Sequence, residues 1–208
     1  IGSQILNLRP YERMLKVINK IIIKSKYNFE YVDLGGGIGI DYSHDNKKFN
    51  LRKYSKIVEK FSKKNNCKII FEPGRSIIGN TAILITKILY IKEGFKKNFI
   101  ILDAAMNDLM RPALYGAVHK IIASERRKKI SRKTYEFVGP ICESTDKFAT
   151  IKNFQKLNEK ELLVICDVGA YGTSLASNYN VRPKPLEILI KNSKIQIINK
   201  RQKISELM

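Results

Sequence analysis

The chain is short of acid, short of cysteine and without any long apolar run, and each shortage narrows what it can be. Its 208 residues hold 19 Asp and Glu against 39 Lys and Arg, a net charge of +20, with only three cysteines. Cys67, Cys142 and Cys166 are far apart and odd in number, which suits neither a disulfide framework nor a zinc ligand set. They are expected as free thiols in a reducing environment, and no metal site is expected. No run of about 18 or more uncharged apolar residues is present, so a membrane span has no support. Ile1 to Ile5 carry no charged region ahead of an apolar one, so no signal peptide is read, and the expected location is the cytoplasm.

The basic excess invites a nucleic-acid partner, because clustered Lys and Arg release counterions from phosphate. The lysines here are scattered through helices, turns and the tail. The short clusters at Lys96-Lys97, Arg126 to Lys129 and Lys200-Arg201 lack interleaved stacking aromatics. Lysine at solvated positions is the simpler reading, and nucleic acid is not expected as a partner. A hydrophobic content of 44% is enough for one large core or two modest ones.

The first part of the chain alternates short apolar strands with amphipathic helices. Ile1 to Ile5 reads as a strand end, and Met14, Leu15, Ile18, Ile21 and Ile22 recur at helical spacing. Glu30 to Leu34 reads as a buried strand running into Gly35-Gly36-Gly37. A second helical face follows at Leu51, Tyr54, Val58 and Phe61, then a strand from Lys68 to Phe71 that ends on Glu72-Pro73-Gly74-Arg75. Such alternation predicts parallel βα units, with chemistry at the carboxyl ends of the strands. From about Ala82 the pattern changes to apolar, β-branched runs at Ile83–Ile91, Phe99–Leu102, Tyr135–Val138, Leu162–Cys166, Leu186–Ile190 and Ile195–Ile198. The expectation is α/β plus β: residues 1–84 as the C-terminal part of a TIM (β/α)8 barrel, residues 85–208 as an antiparallel β-sandwich or barrel domain. About eight strands close a TIM barrel and only three precede the boundary, so the chain reads as beginning within a domain.

Five segments carry candidate chemistry. Gly35-Gly36-Gly37 lets backbone amides approach an anion, although it lacks the G-x-G-x-x-G spacing of a dinucleotide fingerprint and tight turns use the same property. Glu72-Pro73-Gly74-Arg75 presents a carboxylate and a guanidinium three residues apart at a strand end. The carboxylate suits a protonated ring nitrogen and the arginine fork a phosphate or carboxylate, while a surface ion pair is the plain alternative. Gly139-Pro140-Ile141-Cys142-Glu143-Ser144 places a thiol beside a carboxylate on a tight loop; a thiol in a small apolar gap is the plain alternative for Cys142. Asp103 to Tyr115 contains Arg111 and Tyr115, which otherwise solvate a helix end and pack a core. Gly169-Ala170-Tyr171-Gly172 leads through Asn178 to Arg182-Pro183. Cys67 and Cys166 read as core residues, His44 and His119 as surface or structural ones.

In this order the segments resemble the alanine racemase-like group of pyridoxal-phosphate enzymes and, through the second half, the diaminopimelate decarboxylase family. The resemblance spans essentially the whole chain. It implies pyridoxal 5'-phosphate as cofactor, held by Ser3, Gly36, Gly37, Glu72, Pro73, Gly74, Arg75 and Tyr171. It implies meso-2,6-diaminopimelate as substrate, bound by Arg75, Arg111, Tyr115, Glu143 and Tyr171. A distal carboxylate justifies the two arginines, which ornithine or arginine as substrate would leave unused, and Glu143 suits the distal ammonium. Cys142 is implied as the acid that protonates the α-carbon after CO2 leaves, and both Cys142 and Glu143 are implied to act across a homodimer interface.

The family's cofactor lysine and its ring-stacking histidine lie ahead of the Ile1-Gly2-Ser3-Gln4 segment and have no counterpart here. The resemblance is therefore to a C-terminal half, and these residues alone are expected to be inactive. A decarboxylase of another basic amino acid, and a non-catalytic remnant or dimerisation module, stay open as alternatives.

Overall fold

A computed structural model describes residues 1–208, which divide into two compact units, Ile1–Thr81 and Ala82–Met208. In the first unit, helix α1 (Arg9–Ser25) starts with Pro10, whose missing N–H falls where a helix has no acceptor to offer, and ends at Lys26 in the left-handed conformation. Helix α2 (Leu51–Asn65) is capped by Asn50, whose side chain accepts from the Lys53 amide at 2.9 Å, and closes on Asn66 at φ 47°. Tyr54, Val58 and Phe61 fall on one face at spacings of four and three and are buried there.

Strands β1 (Tyr31–Asp33) and β2 (Lys68–Ile70) pair in parallel with Val32 opposite Ile69, and Ile5 adds a parallel bridge to Ile38. Strand and bridge positions follow the expected segments, although the run Ile1–Ile5 contributes one bridging residue and no full strand. These pairings form a two-stranded sheet, not a closed barrel. Its core joins Tyr11, Leu15, Val32, Leu34, Tyr54, Val58, Phe61 and Cys67. The rings of Tyr11 and Tyr54 stand 4.8 Å apart, and Phe49 meets both.

The second unit holds β3 (Leu84–Glu93), β4 (Asn98–Leu102), the short helix α4 (Arg111–Tyr115), β5 (Ile121–Ala123), β6 (Thr134–Val138), β7 (Lys147–Lys152), β8 (Leu162–Ile165) and the hairpin β9 (Glu187–Lys191) and β10 (Lys194–Asn199). Six strands form one sheet in the order β5-β8-β3-β4-β6-β7, and the hairpin is a separate pair. The expected antiparallel sandwich or barrel is corrected here to a mixed sheet: β4 and β6 run parallel, with Phe99 opposite Glu136 and Ile101 opposite Val138. Parallel neighbours need a connection of about a dozen residues or more. Asp103 to Lys133 supplies it and also carries α4 and β5, so a tally of apolar runs could not reveal the strand direction.

Alternation sets the buried face. Ile100 and Leu102 of β4, Tyr135 and Phe137 of β6, and Leu163 and Ile165 of β8 point into one core together with Ile88, Leu109, Ile121 and Phe148. Phe137 meets Phe154 edge-on at 5.2 Å. Strand β7 was not foreseen because only its alternate residues are apolar, and β5 because it spans three residues. No helix is long and apolar enough to cross a membrane. Phe137 has no exposed surface, so Phe137→Ala should cost about 3–5 kcal/mol. Ile188→Ala in the half-exposed hairpin should cost less than about 1 kcal/mol, a contrast to be read from urea unfolding midpoints of the two variants.

Candidate functional site

In the first unit, three chain segments meet at the carboxyl ends of β1 and β2. The Ile5 amide donates to the Gly37 carbonyl at 2.9 Å, and the Glu72 amide donates to the Gly35 carbonyl at 3.0 Å. The approach is close because the glycines lack Cβ atoms. A Cβ on Gly36 would fall 2.2 Å from the Glu72 carbonyl oxygen, and Gly37, at φ +92°, would place one 2.5 Å from the Gly2 carbonyl oxygen. Tyr11 braces the turn from beneath, donating its hydroxyl to the Gly36 carbonyl at 3.1 Å. Burial, with Tyr54 adding to it, pushes the Tyr11 phenol up to about 12, so the hydroxyl keeps the proton it donates. The sequence reading missed Tyr11 because an aromatic at helical spacing signals core packing alone.

This convergence brings the expected Arg75 and Ser3 into contact and sets the Glu72 carboxylate beside the glycine turn. Arg75 donates from Nη2 to Ser3 Oγ at 3.1 Å and from Nη1 to the Tyr42 hydroxyl, with its guanidinium over the Tyr42 ring. The Glu72 carboxylate hangs 3.8 Å from where a Cβ on Gly35 would stand. Pro73 and Gly74 form the turn that leads into helix α3 (Arg75–Ile78), with Gly74 as its N-cap. A serine hydroxyl, an arginine fork, glycine backbone and a nearby carboxylate together suit an anionic group joined to a cationic ring.

In the second unit, the loop after β6 bears Cys142 and Glu143, both exposed. Its shape comes from Asp146, which is 3% exposed. One carboxylate oxygen accepts the Met106 amide at 2.7 Å and the other accepts the Ile141 amide at 2.8 Å. The Gly139 amide and the Asp146 carbonyl close the loop at 3.0 Å. Only glycine fits at 139, where a Cβ would lie 2.3 Å from the Asp146 carboxylate. Burial raises the Asp146 carboxyl above its ordinary value, outweighing the two amides and the Arg182 charge that pull it down. The Tyr179 hydroxyl donates to Glu143 at 3.3 Å, so the carboxylate assigned to an ammonium already has one neighbour that orients it.

Arg111 and Tyr115 lie four residues apart on α4. They differ sharply in environment: Arg111 is buried, and Tyr115 is 67% exposed. Arg111 donates from Nη1 to His119 Nε2 at 2.8 Å, and His119 Nδ1 meets the Cys166 carbonyl at 2.9 Å. The neighbouring motif residues are structural. Fully buried Asn107 takes Arg182 Nε on its Oδ1 at 2.9 Å and the Ser177 amide on its carbonyl at 2.9 Å, and Arg182 Nη2 reaches the Asp103 carbonyl at 2.5 Å. This lock fixes the segment that follows Tyr171. Tyr171 itself is 45% exposed and sits at φ 60°, a left-handed conformation that a tyrosine adopts only when its surroundings impose it. Gly172 beside it would set a Cβ 2.3 Å from the Val168 carbonyl oxygen, which leaves no other residue type there.

Comparison with known proteins places the chain in a family. A family model described as the pyridoxal-dependent decarboxylase, C-terminal sheet domain, matches residues 16–169, and the chain belongs to that family. Among individual relatives, the diaminopimelate decarboxylase of Zymomonas mobilis is 41% identical over all of this chain and 50% of its own length. The diaminopimelate decarboxylase of Helicobacter pylori solved in complex with L-lysine superimposes with a TM-score of 0.87 at 39% identity, covering all of this chain and 52% of that one. The M. jannaschii enzyme in co-complex with L-lysine gives 0.89 at 33% identity, with 100% and 49% covered. The chain thus spans about half the length of the curated relatives it matches.

Asp146→Ala in the full-length protein should leave two buried amides without acceptors, costing about 2–5 kcal/mol. Gly139→Ala should strain the same loop by about 1–3 kcal/mol. Thermal unfolding measures both, and the accessibility of Cys142 to a thiol reagent reports the loop movement.

Proposed function

We propose that this chain is the C-terminal half of a diaminopimelate decarboxylase, which removes one carboxylate of meso-2,6-diaminopimelate as CO2 and leaves L-lysine. The observation that carries the reading is the likeness, at 39% identity along the whole of this chain and 52% of the other, to the Helicobacter pylori enzyme solved with L-lysine, the expected product. In the whole protein the βα segments of residues 1–84 belong to a pyridoxal-phosphate-binding (β/α)8 barrel, and residues 85–208 form the C-terminal β domain. The working protein is a cytoplasmic homodimer.

Pyridoxal 5'-phosphate supplies an electron sink for the carbanion that forms as CO2 leaves. Ser3, the Gly36–Gly37 backbone, Arg75 and Tyr171 are suited to its phosphate, and Glu72 holds a proton on the ring nitrogen. Arg75, Arg111 and Tyr115 bind the distal carboxylate of the substrate, and Glu143 binds the distal ammonium. This four-point grip selects diaminopimelate over ornithine and arginine, which lack the second carboxylate. Cys142 delivers a proton from Sγ to the α-carbon after CO2 has left, and its thiolate regains a proton from solvent. Cys142 and Glu143 serve the partner subunit's site. Their exposure on a braced loop supports this, because a donor that acts on a second subunit must stand clear of its own. The chain spans about half the length of its curated relatives, and by itself it does not decarboxylate.

Full-length protein loaded with cofactor should release lysine from diaminopimelate and leave ornithine and arginine untouched, measured by CO2 release across the three substrates. Cys142→Ala should lower kcat by about 10²- to 10⁴-fold with little change in KM. Turnover of ornithine or arginine at a rate comparable to diaminopimelate would refute the assignment.

A further inference from the structure

Arg111 can grip a substrate's distal carboxylate only if its guanidinium is itself held in place. A guanidinium has five N–H donors and no acceptor, and a carbonyl oxygen only accepts. His119 stands between one of each, with Nε2 at 2.8 Å from Arg111 Nη1 and Nδ1 at 2.9 Å from the Cys166 carbonyl. Both contacts are satisfied by one arrangement only: Nδ1 carries the proton and donates to Cys166, while Nε2 is bare and accepts from Arg111. Either imidazolium or the other tautomer would turn an N–H toward the guanidinium.

The geometry is confined on all sides. His119 is 2% exposed and Arg111 6% exposed. The imidazole sits just ahead of β5, and the Lys120 carbonyl beside it accepts the Cys166 amide at 2.9 Å, which ties this segment to the end of β8. Charged and titratable groups near the ring in chain or contact include Arg111 from α4, Lys120 next to it in sequence, and Cys166 and Asp167 in the segment after β8. Burial and then Asp167 raise the Cys166 thiol, and Lys120 opposes them. The ring thus links the guanidinium on this five-residue helix to the segment after β8.

We propose that His119 is a positioning residue that holds the Arg111 guanidinium for the substrate's distal carboxylate, and that it does so only as the neutral Nδ1–H imidazole. The inference rests on the reading of Arg111 as a carboxylate ligand. Protonation of His119 puts a hydrogen on Nε2, which breaks the contact to Arg111 and sets two cations against each other, so substrate affinity is lost on the acid side.

Two measurements on the full-length holoenzyme test it. In nitrogen-15 NMR, the imidazole signal that vanishes in His119→Gln should show a protonated Nδ1 and a bare Nε2 at neutral pH; an Nε2–H tautomer or an imidazolium overturns the proposal. In kinetics, His119→Ala should raise KM for diaminopimelate about ten- to a hundredfold while kcat changes less than about threefold. His119→Gln offers an amide oxygen to Arg111 without titrating, so it should recover most of the affinity and lose the acid fall in kcat/KM. An unchanged KM in His119→Ala, or an unaltered acid limb in His119→Gln, overturns the proposal. If His119→Ala fails to fold, the Gln variant and the NMR signal decide. If the wild-type enzyme does not turn over diaminopimelate, the functional reading fails while the tautomer still decides the role of the ring.

Discussion

A carboxylate buried to 3% exposure and shared between two backbone amides organises the part of this protein that bears its most reactive groups. Asp146 ties Met106, beyond the end of β4, to Ile141, in the loop beyond β6. The two strands are parallel neighbours, so their carboxyl ends lie side by side and a single side chain reaches both loops. The loop carrying Cys142 and Glu143 is therefore held by the sheet as well as by its own turn hydrogen bonds, such as the Asp146 amide to the Glu143 carbonyl at 3.0 Å. The desolvation that raises the Asp146 carboxyl measures the cost of burying it, and its two amides offset that cost.

The same design recurs in the first unit with other atoms. Two parallel strands end beside each other, backbone groups after each strand bond across, and glycine admits a contact that a Cβ would forbid at 2.2 Å. Tyr11 replaces Asp146 as the brace, donating to the Gly36 carbonyl from a core of aromatic rings. In both places residues suited to contact a ligand sit on loops, while those that hold the loops are buried and belong to the core. A mutation of either brace would reach function without touching a ligand.

Helices α1 and α2 were legible from spacing because one face of each meets the core and the other meets water. Strands β3, β4, β6 and β8 were legible as apolar β-branched runs. Strand β7 escaped notice because alternate residues are polar, and the direction of β6 because strand direction depends on the connection, not on the strand's composition. Among candidate residues, Glu72, Arg75 and Ser3 were legible by motif and do converge. Arg111 and His119 show the limit: the motif marked the arginine and passed over the histidine, since a lone histidine carries no spacing signal.

By itself the sequence determined the alternation of βα units, the change of character near residue 82, the glycines that permit close approach, and the list of reactive side chains. These follow from local properties: period, backbone freedom and side-chain chemistry. Tertiary structure decided the mixed direction of the sheet, the bracing roles of Tyr11 and Asp146, the Asn107–Arg182 lock and the tautomer imposed on His119. Each depends on groups far apart in sequence meeting within hydrogen-bond distance, as Arg182 meets Asn107 at 2.9 Å across 75 positions. Which donor finds which acceptor at that range is set by how the sheet is ordered and by what burial excludes, and no local pattern encodes it.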